Sequence, residues 1–236
     1  MSSEQSPVNA KSHLIDGIVI IVSILIAFGL DAWWDGHSAR KVEQAHLAAL
    51  RVDFEQTREH LQEAIEHETR SVALARQLTA GAGIAPVVEG MLDSMMYELF
   101  SMPTFEPVQG AYHELLSSGE LALIRDKPLR KALASWESRI DNYKTREKWL
   151  YDIWNLFIAP YLMQEISMMQ IMPDSLLKDR PPNPFPRDHA VALNDRYFHN
   201  IVVHRWVAAA DVLKSLGELR QANEQILEQL TAGDND

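Results

Sequence analysis

The first fifth of the chain contains an uninterrupted apolar run. Residues 17–30 read GIVIIVSILIAFGL without a charge, and the run from Ile18 to Val22 is apolar on every side of a helix. These fourteen residues span only about 21 Å as a helix, whereas 21 residues from Leu14 to Trp34 span about 31 Å, close to a membrane's hydrocarbon thickness. The pattern predicts a transmembrane helix over 14–34, after an N-terminal tail over 1–13.

Four residues near the ends of this segment are candidates for the membrane interface. Asp16 and Asp31 lie where an ionised group costs least, and Trp33 and Trp34 follow at the depth where amphipathic rings contact headgroups. Solvation at the interface explains both aspartates. The alternative is that they pair with a partner helix, in a homo-oligomer or in another membrane protein.

Two other interpretations compete with a membrane span. A secretory signal peptide has a short apolar core and a small-residue cleavage site, for which Ala27-Phe28-Gly29 would serve. Cleavage there would cut inside the apolar run, however, and Lys11 is the only basic side chain before it. A buried core helix is the other interpretation, but a globular surface helix would carry a polar stripe that this run lacks.

After Asp35-Gly36 the pattern becomes that of amphipathic helices. A helix is predicted over 37–80, with a single apolar stripe that drifts in register around Ile65. The stripe contains Leu47, Leu50, Phe54, Leu61, Ile65, Val72, Ala75 and Leu78. Gly81-Ala82-Gly83 and Pro86 end this helix, and a shorter one is predicted over 87–100.

The C-terminal half predicts two further long helices. Asp126 is a good N-cap for the first, with Pro128 in its first turn, and Pro160 kinks or ends it. Residues 173–187 hold five prolines and predict an extended loop, and a final helix covers about 195–230. Its predicted inward set is Val203, Trp206, Val207, Val212, Leu213, Leu216, Leu219, Ile226, Leu227 and Leu230.

These elements predict an all-α protein. The predicted order is an N-terminal transmembrane helix, a helical bundle with long antiparallel helices over 37–231, and a frayed tail over 232–236. The net charge of −11 argues against nucleic acid as a partner, because phosphate backbones need clustered Lys and Arg. The chain has no cysteine, which excludes disulfides, thiolate catalysis and Cys-based zinc sites.

The chain carries an acidic residue, an apolar run, Ile-Leu-Ile-Ala and tryptophan, in that order, followed by a long charged helix. In this order it resembles a family of bacterial single-pass membrane proteins of unknown function. In that family a Glu opens the span, which continues through GILIAL-like residues to an Asn-Asn-Trp-Asn exit. In this chain Asp16 occupies the position of the Glu, and Ser23 occupies the position of the Gly. Residues 31–34, with the sequence DAWW, occupy the position of the Asn-Asn-Trp-Asn exit. A second stretch also resembles the family, with Tyr112, Leu115, Ser117-Ser118-Gly119, Leu121, Ile124 and Leu129.

The resemblance implies a single-pass protein of the bacterial inner membrane and implies no activity. Before the span lie Lys11 and the α-amino group, and after it Arg40, Lys41 and Arg51. Three basic groups after the span against two before it favour a cytoplasmic C-terminal domain, because basic residues are enriched on the cytoplasmic side of a span.

The candidate chemistry is sparse. Glu43 and His46 form one Glu-x-x-His unit, but a di-iron bundle needs a second copy, which the chain lacks. His60, Glu63 and His67 share one helix face and could hold a surface metal, although a solvated face explains them better.

Three other groups of residues have simpler explanations. His199 and His204 are explained as ordinary structural histidines, and Ser117-Ser118-Gly119 as a helix end. The methionines at 163, 168, 169 and 172 are explained as adaptable packing or as a partner-binding surface. We therefore assign no catalytic, cofactor-binding or metal residue and expect no cofactor.

The expected function is that of a membrane-anchored structural or interaction protein, a scaffold or accessory component whose partners are the lipid bilayer and another copy or a membrane protein. We do not expect an enzyme. The alternative is a membrane-linked sensor or accessory subunit that binds a ligand in the bundle, and a helical-bundle metalloenzyme comes third.

Overall fold

The computed structural model describes residues 10–80 and 90–232, with side chains from residue 18 onward. These residues form seven α-helices and no β-strand, which confirms the all-α class with a long apolar N-terminal helix followed by a helical bundle. The helices are α1 (Ala10–Thr79), α2 (Met91–Phe100), α3 (Gly110–Ser117), α4 (Lys127–Ile153), α5 (Ala159–Glu165), α6 (Met168–Ile171) and α7 (Arg196–Ala232).

Helix α1 is continuous, so the predicted span over 14–34 and the predicted helix over 37–80 are parts of one element. Gly36 does not interrupt it, because a single glycine costs a helix only about 1 kcal/mol. The chain divides into two compact units, Met1–Ala49 and Leu50–Asp236. The predicted helix end at 81–86, the start of the next helix at 87 and residues 233–236 of the tail lie outside the described residues.

The second unit is built on three long helical segments. The α7 helix runs antiparallel to both others. Against α4, Gln229 near the C-terminal end of α7 lines one groove with Lys127 at the start of α4, whereas Asp211, earlier in α7, pairs with Arg146. Arg51 Nη2 of α1 donates to the Leu230 carbonyl at 2.6 Å, whereas Glu68 contacts Arg205. The ring of Phe54 meets that of Trp136 of α4 edge-on at 5.0 Å. The prediction of long antiparallel helices is therefore confirmed for α7 against its two neighbours.

The inward stripe of α1 does not drift in register, contrary to the sequence-based interpretation. It continues at helical spacing from Leu61 through Glu68 and Ser71 to Ala75 and Leu78, all of them buried. Two of the inward positions are occupied by the polar residues Glu68 and Ser71. A pattern of apolar residues alone therefore does not detect the stripe there.

A buried threonine in the same stripe holds the loop between α2 and α3. The Val108 amide donates to Thr57 Oγ1 at 2.9 Å, and the Thr57 hydroxyl donates to the Val108 carbonyl at 3.2 Å. The Ala111 amide, in the first turn of α3, donates to Asp53 Oδ2 at 2.7 Å. Two side chains of α1 thus satisfy backbone groups of a segment about 50 residues away.

The start of α4 is confirmed. Asp126 Oδ1 accepts from the Leu129 amide at 2.7 Å, and Pro128 occupies the first turn, where a missing N–H is harmless. Near the other end, Pro160 does not end the helical path. A single π-helical turn over Trp154–Ile158 joins α4 to α5, which is how a chain accommodates a proline that cannot donate.

The predicted inward face of α7 is correct in its C-terminal part and wrong in its first three turns. Val207 is exposed and Val203 and Trp206 are only half-buried, while Arg205 is fully buried. A sequence pattern assigns an arginine to the surface. The predicted inward face of α7 is therefore rotated away from Arg205 and from the face that the structure buries. The segment over 173–187 contains no α-helix, as predicted, but turns and a bend over 174–179 replace the extended conformation expected there.

Candidate functional site

The apolar part of the first unit is a large exposed surface. None of its most apolar 18-residue window is buried, and one helix of the described residues, α1, is long and apolar enough to cross a membrane. The exposed large side chains are Ile18, Val19, Ile20, Ile21, Val22, Ile24, Leu25, Ile26, Phe28, Leu30, Trp33 and Trp34. A core helix would bury most of such residues, and within the described residues nothing covers these.

Three of the four predicted interface residues lie within one turn of α1. Asp31 is exposed, and the Trp33 and Trp34 rings are 62% and 65% exposed. Trp33 stacks on His37, with ring centres 5.6 Å apart and planes 6° from parallel. The side chain of Asp16 lies outside the described part of the structure. The turn therefore presents two amphipathic rings and a carboxylate together at one end of the apolar surface.

The sequence interpretation missed a buried arginine of the bundle that makes four hydrogen bonds. The Arg205 guanidinium, fully buried, donates from Nη1 to Glu68 Oε2 at 2.9 Å and from Nη2 to Glu68 Oε1 at 3.2 Å. Its Nη2 also donates to Ser71 Oγ at 3.1 Å, and its Nε donates to the Leu99 carbonyl at 2.9 Å. This buried ion pair connects α1, the end of α2 and α7.

The environment keeps Glu68 ionised. Burial by itself raises the pKa of its carboxyl group, but His67 and Arg205 outweigh that effect and hold the pKa below its ordinary value. His67 Nδ1 is 3.4 Å from Glu68 Oε1, a long contact, so the two bonds from Arg205 are the stronger cause. The pair has almost no solvent access and no free acid or base, which suits a structural role and not a catalytic one.

A second polar pair, of the buried His189 and the half-buried Asp93, holds the segment between α6 and α7 against α2. His189 Nδ1 lies 2.6 Å from Asp93 Oδ1, and His189 Nε2 accepts from the Ser167 amide at 2.9 Å. Because Nε2 accepts, Nδ1 carries the proton and donates to Asp93. An Asp–His pair can act in catalysis, but here the second ring nitrogen is already bonded to the backbone, so no substrate atom can reach it.

A tyrosine beside the buried ion pair is also fixed by hydrogen bonds. Tyr143 Oη donates to Glu147 Oε1 at 2.7 Å and accepts from the Phe105 amide at 3.4 Å. Burial and the Glu147 carboxylate raise the pKa of this phenol, so it remains a neutral donor. The bond fastens the loop before α3 to α4.

An open cleft of about 570 Å³ lies between α2, His67 and Arg70 of α1, and the segment around α6. Its lining mixes charged, polar and apolar groups, including Arg70, Asp93, Tyr97, Gln170 and Arg180. Several of these are already paired, since Arg70 Nε donates to Glu98 at 2.7 Å and Asp93 accepts from His189. It is an open polar cleft, unlike the deep apolar pockets that enclose small ligands.

The structure does not assemble the metal candidates of the sequence. His60 Nδ1 is 3.0 Å from the Glu106 carbonyl oxygen, while the His67 ring turns inward with neither nitrogen hydrogen-bonded. Within residues 18–80 and 90–232, no three His, Asp or Glu side chains come together in a way that could hold a metal ion.

The remaining candidates have structural explanations. The Ser117 and Ser118 hydroxyls donate to carbonyls of α3, and Gly119 has φ 76°, so this stretch is a helix end as predicted. His204 stacks on Phe157 with ring centres 5.7 Å apart, and His199 is exposed. Met163 is 74% exposed, whereas the methionines at 168, 169 and 172 are half-buried.

Comparison of the chain with models of protein families, with curated proteins and with solved structures gives no match. The likeness to a family of single-pass membrane proteins therefore rests on the quoted residues alone.

Proposed function

We propose that the chain is a single-pass membrane protein whose helical bundle acts as a structural or interaction module. One observation carries this proposal: every large apolar side chain between Ile18 and Trp34 is exposed, while residues from Leu50 onward have a closed core of their own. Exposed apolar surface of this size is unfavourable in water, and a bilayer removes it.

The bundle supports an interaction role because three of its buried ionisable groups are used in structural bonds. Arg205, Glu68 and His189 each bond to other helices or to the backbone, which leaves them unable to bind a substrate. The function we propose is that of a scaffold or accessory component, which assembles with another copy of itself or with a membrane protein.

The proposed location is the inner membrane of a bacterium, with the bundle on the cytoplasmic side. The support is the excess of Arg40, Lys41 and Arg51 over the basic groups that precede the span. The tryptophans at the end of the apolar surface support a membrane exit there, since indole rings favour the headgroup region.

The anchor is tested by fractionation of cells that express the full chain. We expect the protein in the membrane fraction after carbonate washing, and Leu25→Arg to shift it toward the soluble fraction. An arginine at the centre of a span costs roughly 2.5–3.5 kcal/mol of insertion free energy. Leu176→Arg is the matched control, since Leu176 is equally exposed but lies in the loop after α6.

Two results would contradict the anchor. Recovery of the unmodified chain in the soluble fraction would show that the apolar segment is covered by protein. An intact mass that shows loss of the residues up to Gly29 would show a signal peptide instead of an anchor.

The interaction role is tested by the mass of the full chain in a mild detergent, measured by light scattering, and by cross-linking in membranes. We expect an oligomer or a stable complex with a membrane protein. If Asp31 pairs with a neighbouring helix, Asp31→Asn will lower the oligomer fraction, whereas Asp35→Asn, four residues further on, will not. A monomer that cross-links to nothing would contradict the role.

A second candidate is a membrane-linked sensor or accessory subunit, favoured by the cleft of about 570 Å³ beside α2. It would bind a small polar ligand, because Arg70, Tyr97 and Gln170 line the cleft. A thermal-shift screen of polar metabolites, repeated with Tyr97→Ala, tests it. A shift that survives this substitution would place the ligand elsewhere.

A further inference from the structure

The partners of His189 hold its ring in one protonation state. Its Nε2 atom accepts a hydrogen bond from the Ser167 amide at 2.9 Å, and its Nδ1 atom lies 2.6 Å from Asp93 Oδ1. A backbone amide can only donate, so Nε2 has a free electron pair and the ring is neutral, with its proton on Nδ1. The side chain is only 2% exposed, so water does not replace these partners. The observed arrangement therefore requires a neutral His189.

Protonation of this ring affects its two partners in opposite ways. A proton on Nε2 turns that atom into a donor, which then faces the N–H group of Ser167, another donor. That hydrogen bond is lost, and a buried donor without an acceptor is unfavourable. The bond to Asp93 becomes stronger, because a charged donor binds a carboxylate more tightly than a neutral donor does. Protonation therefore keeps His189 on α2 and separates it from Ser167.

Ser167 lies at the start of α6. It immediately precedes the first residue of this helix, and its carbonyl accepts from the Gln170 amide at 2.9 Å. Through His189, the Ser167 amide is connected to Asp93 of α2, so these three residues form a polar bridge between α6 and α2. Loss of the bond to Ser167 breaks this bridge at its α6 end.

The bridge connects two walls of the open cleft described above. One wall belongs to α2, where Asp93 and Tyr97 line the cleft, and another belongs to the segment around α6, where Gln170 and Met172 line it. Asp93 is thus both a partner of His189 and a lining residue of the cleft. Separation of Ser167 from His189 removes a bond that ties the second wall to the first.

The charged groups around His189 belong to α2, to the segment around α6 and to the start of α7. Asp93 contacts the ring directly, and the short helix α6 itself contains no ionisable residue. The other charged groups in these elements have partners or are exposed: Glu98 pairs with Arg70, Arg187 pairs with Glu165, Asp188 accepts from the Ala190 amide, Asp195 accepts from Tyr161, and Arg196 and His199 are exposed. The contact of His189 with Ser167 is therefore the one in which a change of charge removes a hydrogen bond.

We propose that Asp93, His189 and Ser167 form a pH-sensitive latch, in which protonation of His189 releases the start of α6 and loosens one wall of the cleft. Histidine is the side chain whose charge ordinarily changes between about pH 5 and 8. The inference goes beyond the proposed function, and it depends neither on the membrane anchor nor on a ligand in the cleft.

The protonation state is tested by nuclear magnetic resonance on the full chain in a mild detergent, with nitrogen-labelled histidine. Long-range proton–nitrogen spectra distinguish the two neutral tautomers from the charged ring. At about pH 7.5 we expect His189 to carry its proton on Nδ1, with signals that His189→Gln removes and thereby assigns. At about pH 5.5 we expect the ring to be charged. A ring that is charged at the higher pH, or still neutral at the lower one, would overturn the latch.

The release is measured by hydrogen exchange of peptides that cover residues 166–172, read by mass spectrometry and corrected for the intrinsic effect of pH on exchange. From about pH 7.5 to 5.5, protection in this segment should fall by at least about tenfold, as loss of one buried hydrogen bond would cause. Peptides around Arg205 should keep their protection, because the pKa of Glu68 lies below 4.5 and its ion pair persists over this range.

Three variants separate the latch from other effects of acid. His189→Gln keeps a neutral side chain that can accept from Ser167, so its protection should not change with pH. His199→Gln removes an exposed histidine at the start of α7 and is the matched control, which should respond like the wild type. Asp93→Asn retains an acceptor for Nδ1 but removes the charge that favours a protonated ring, so release should occur at lower pH than in the wild type.

Two exchange results would overturn the proposal. Unchanged protection of residues 166–172 in the wild type would show that a charge on His189 does not release α6. An equal loss of protection in His189→Gln and in the wild type would assign the effect to another group. If His189→Gln does not fold, Asp93→Asn decides in its place, because a release at the same pH as in the wild type would contradict the latch.

Discussion

Arg205 and Glu68, 137 positions apart in the chain, form a two-point ion pair inside the bundle, with N–O distances of 2.9 and 3.2 Å. The guanidinium is fully buried and the carboxylate nearly so. Arg205 also donates to Ser71 Oγ and to the Leu99 carbonyl, so each nitrogen of the guanidinium is hydrogen-bonded. The pair fixes the alignment of α7 along α1, because a shift of one turn would leave two charges buried without compensation.

Removal of one partner should be much more harmful than removal of both. We expect Glu68→Gln to lower the free energy of unfolding by about 3–5 kcal/mol, because it leaves the Arg205 charge buried without a counter-charge. The double variant Glu68→Leu/Arg205→Met should lose less than either single variant, since apolar side chains of similar volume need no partner. Urea unfolding followed by circular dichroism, in a mild detergent, measures these values.

The matched control is the exposed pair of Arg70 and Glu98, whose atoms are 2.7 Å apart. Arg70→Met/Glu98→Gln should change the free energy of unfolding by less than about 1 kcal/mol, as exposed pairs do. A double variant of the buried pair that is as unstable as Glu68→Gln would show that the charges stabilise the bundle in their own right.

The same pair predicts a dependence of stability on pH. The pKa of Glu68 is lower in the folded chain than its ordinary value of 4.5, so the folded state favours the ionised form. Its contribution is therefore present above about pH 4.5 and is lost as the pH falls through the folded-state pKa. Between pH 5 and 3, the wild type should lose more free energy of unfolding than Glu68→Leu/Arg205→Met. Parallel losses in both proteins would assign the acid sensitivity to other carboxylates.

This pair also marks the limit of what the sequence predicts. The long helices follow from periodicity, and Asp126 with Pro128 fixes the start of α4, because capping is local chemistry. The predicted apolar stripes do not include Arg205 and Glu68, because charged residues are almost never buried unless they are paired, and no local pattern reveals a partner 137 positions away.

A signal for the buried pair is nevertheless present in the chain. Glu68 lies seven residues after Leu61 and seven before Ala75, at the inward position that the α1 stripe requires. Arg205 lies three residues after Val202 and three before Ala208, which are both buried. When each of two long helices has a charged residue at an inward position, and the two charges are opposite, the pattern indicates an ion pair between the helices. The contacts of His189 could not be predicted, because Asp93 and Ser167 become its neighbours only through tertiary packing.

The proposed orientation predicts which side of the membrane each end of the chain occupies. The chain has no cysteine, so Ser3→Cys and Gln221→Cys each introduce a single thiol. With the bundle in the cytoplasm, an impermeant maleimide should label Ser3→Cys in intact spheroplasts, and Gln221→Cys only after lysis. Mass spectrometry of the purified proteins gives the labelled fraction. The opposite labelling pattern would place the bundle outside the cytoplasm. The excess of basic residues after the span would then not indicate the orientation of the chain.

The tryptophan pair predicts a depth in the bilayer. If Trp33 and Trp34 contact headgroups, the fluorescence of the full chain in nanodiscs should fall most with lipids brominated near the headgroup, and least with bromines near the chain end. Trp33→Phe/Trp34→Phe should lose most of this quenching, because the other four tryptophans belong to the second unit. Trp149→Phe, which removes an exposed tryptophan of α4, is the matched control and should retain it. Strongest quenching by bromines near the chain end would place the rings inside the hydrocarbon, and Asp31 would then need a partner helix to remain ionised.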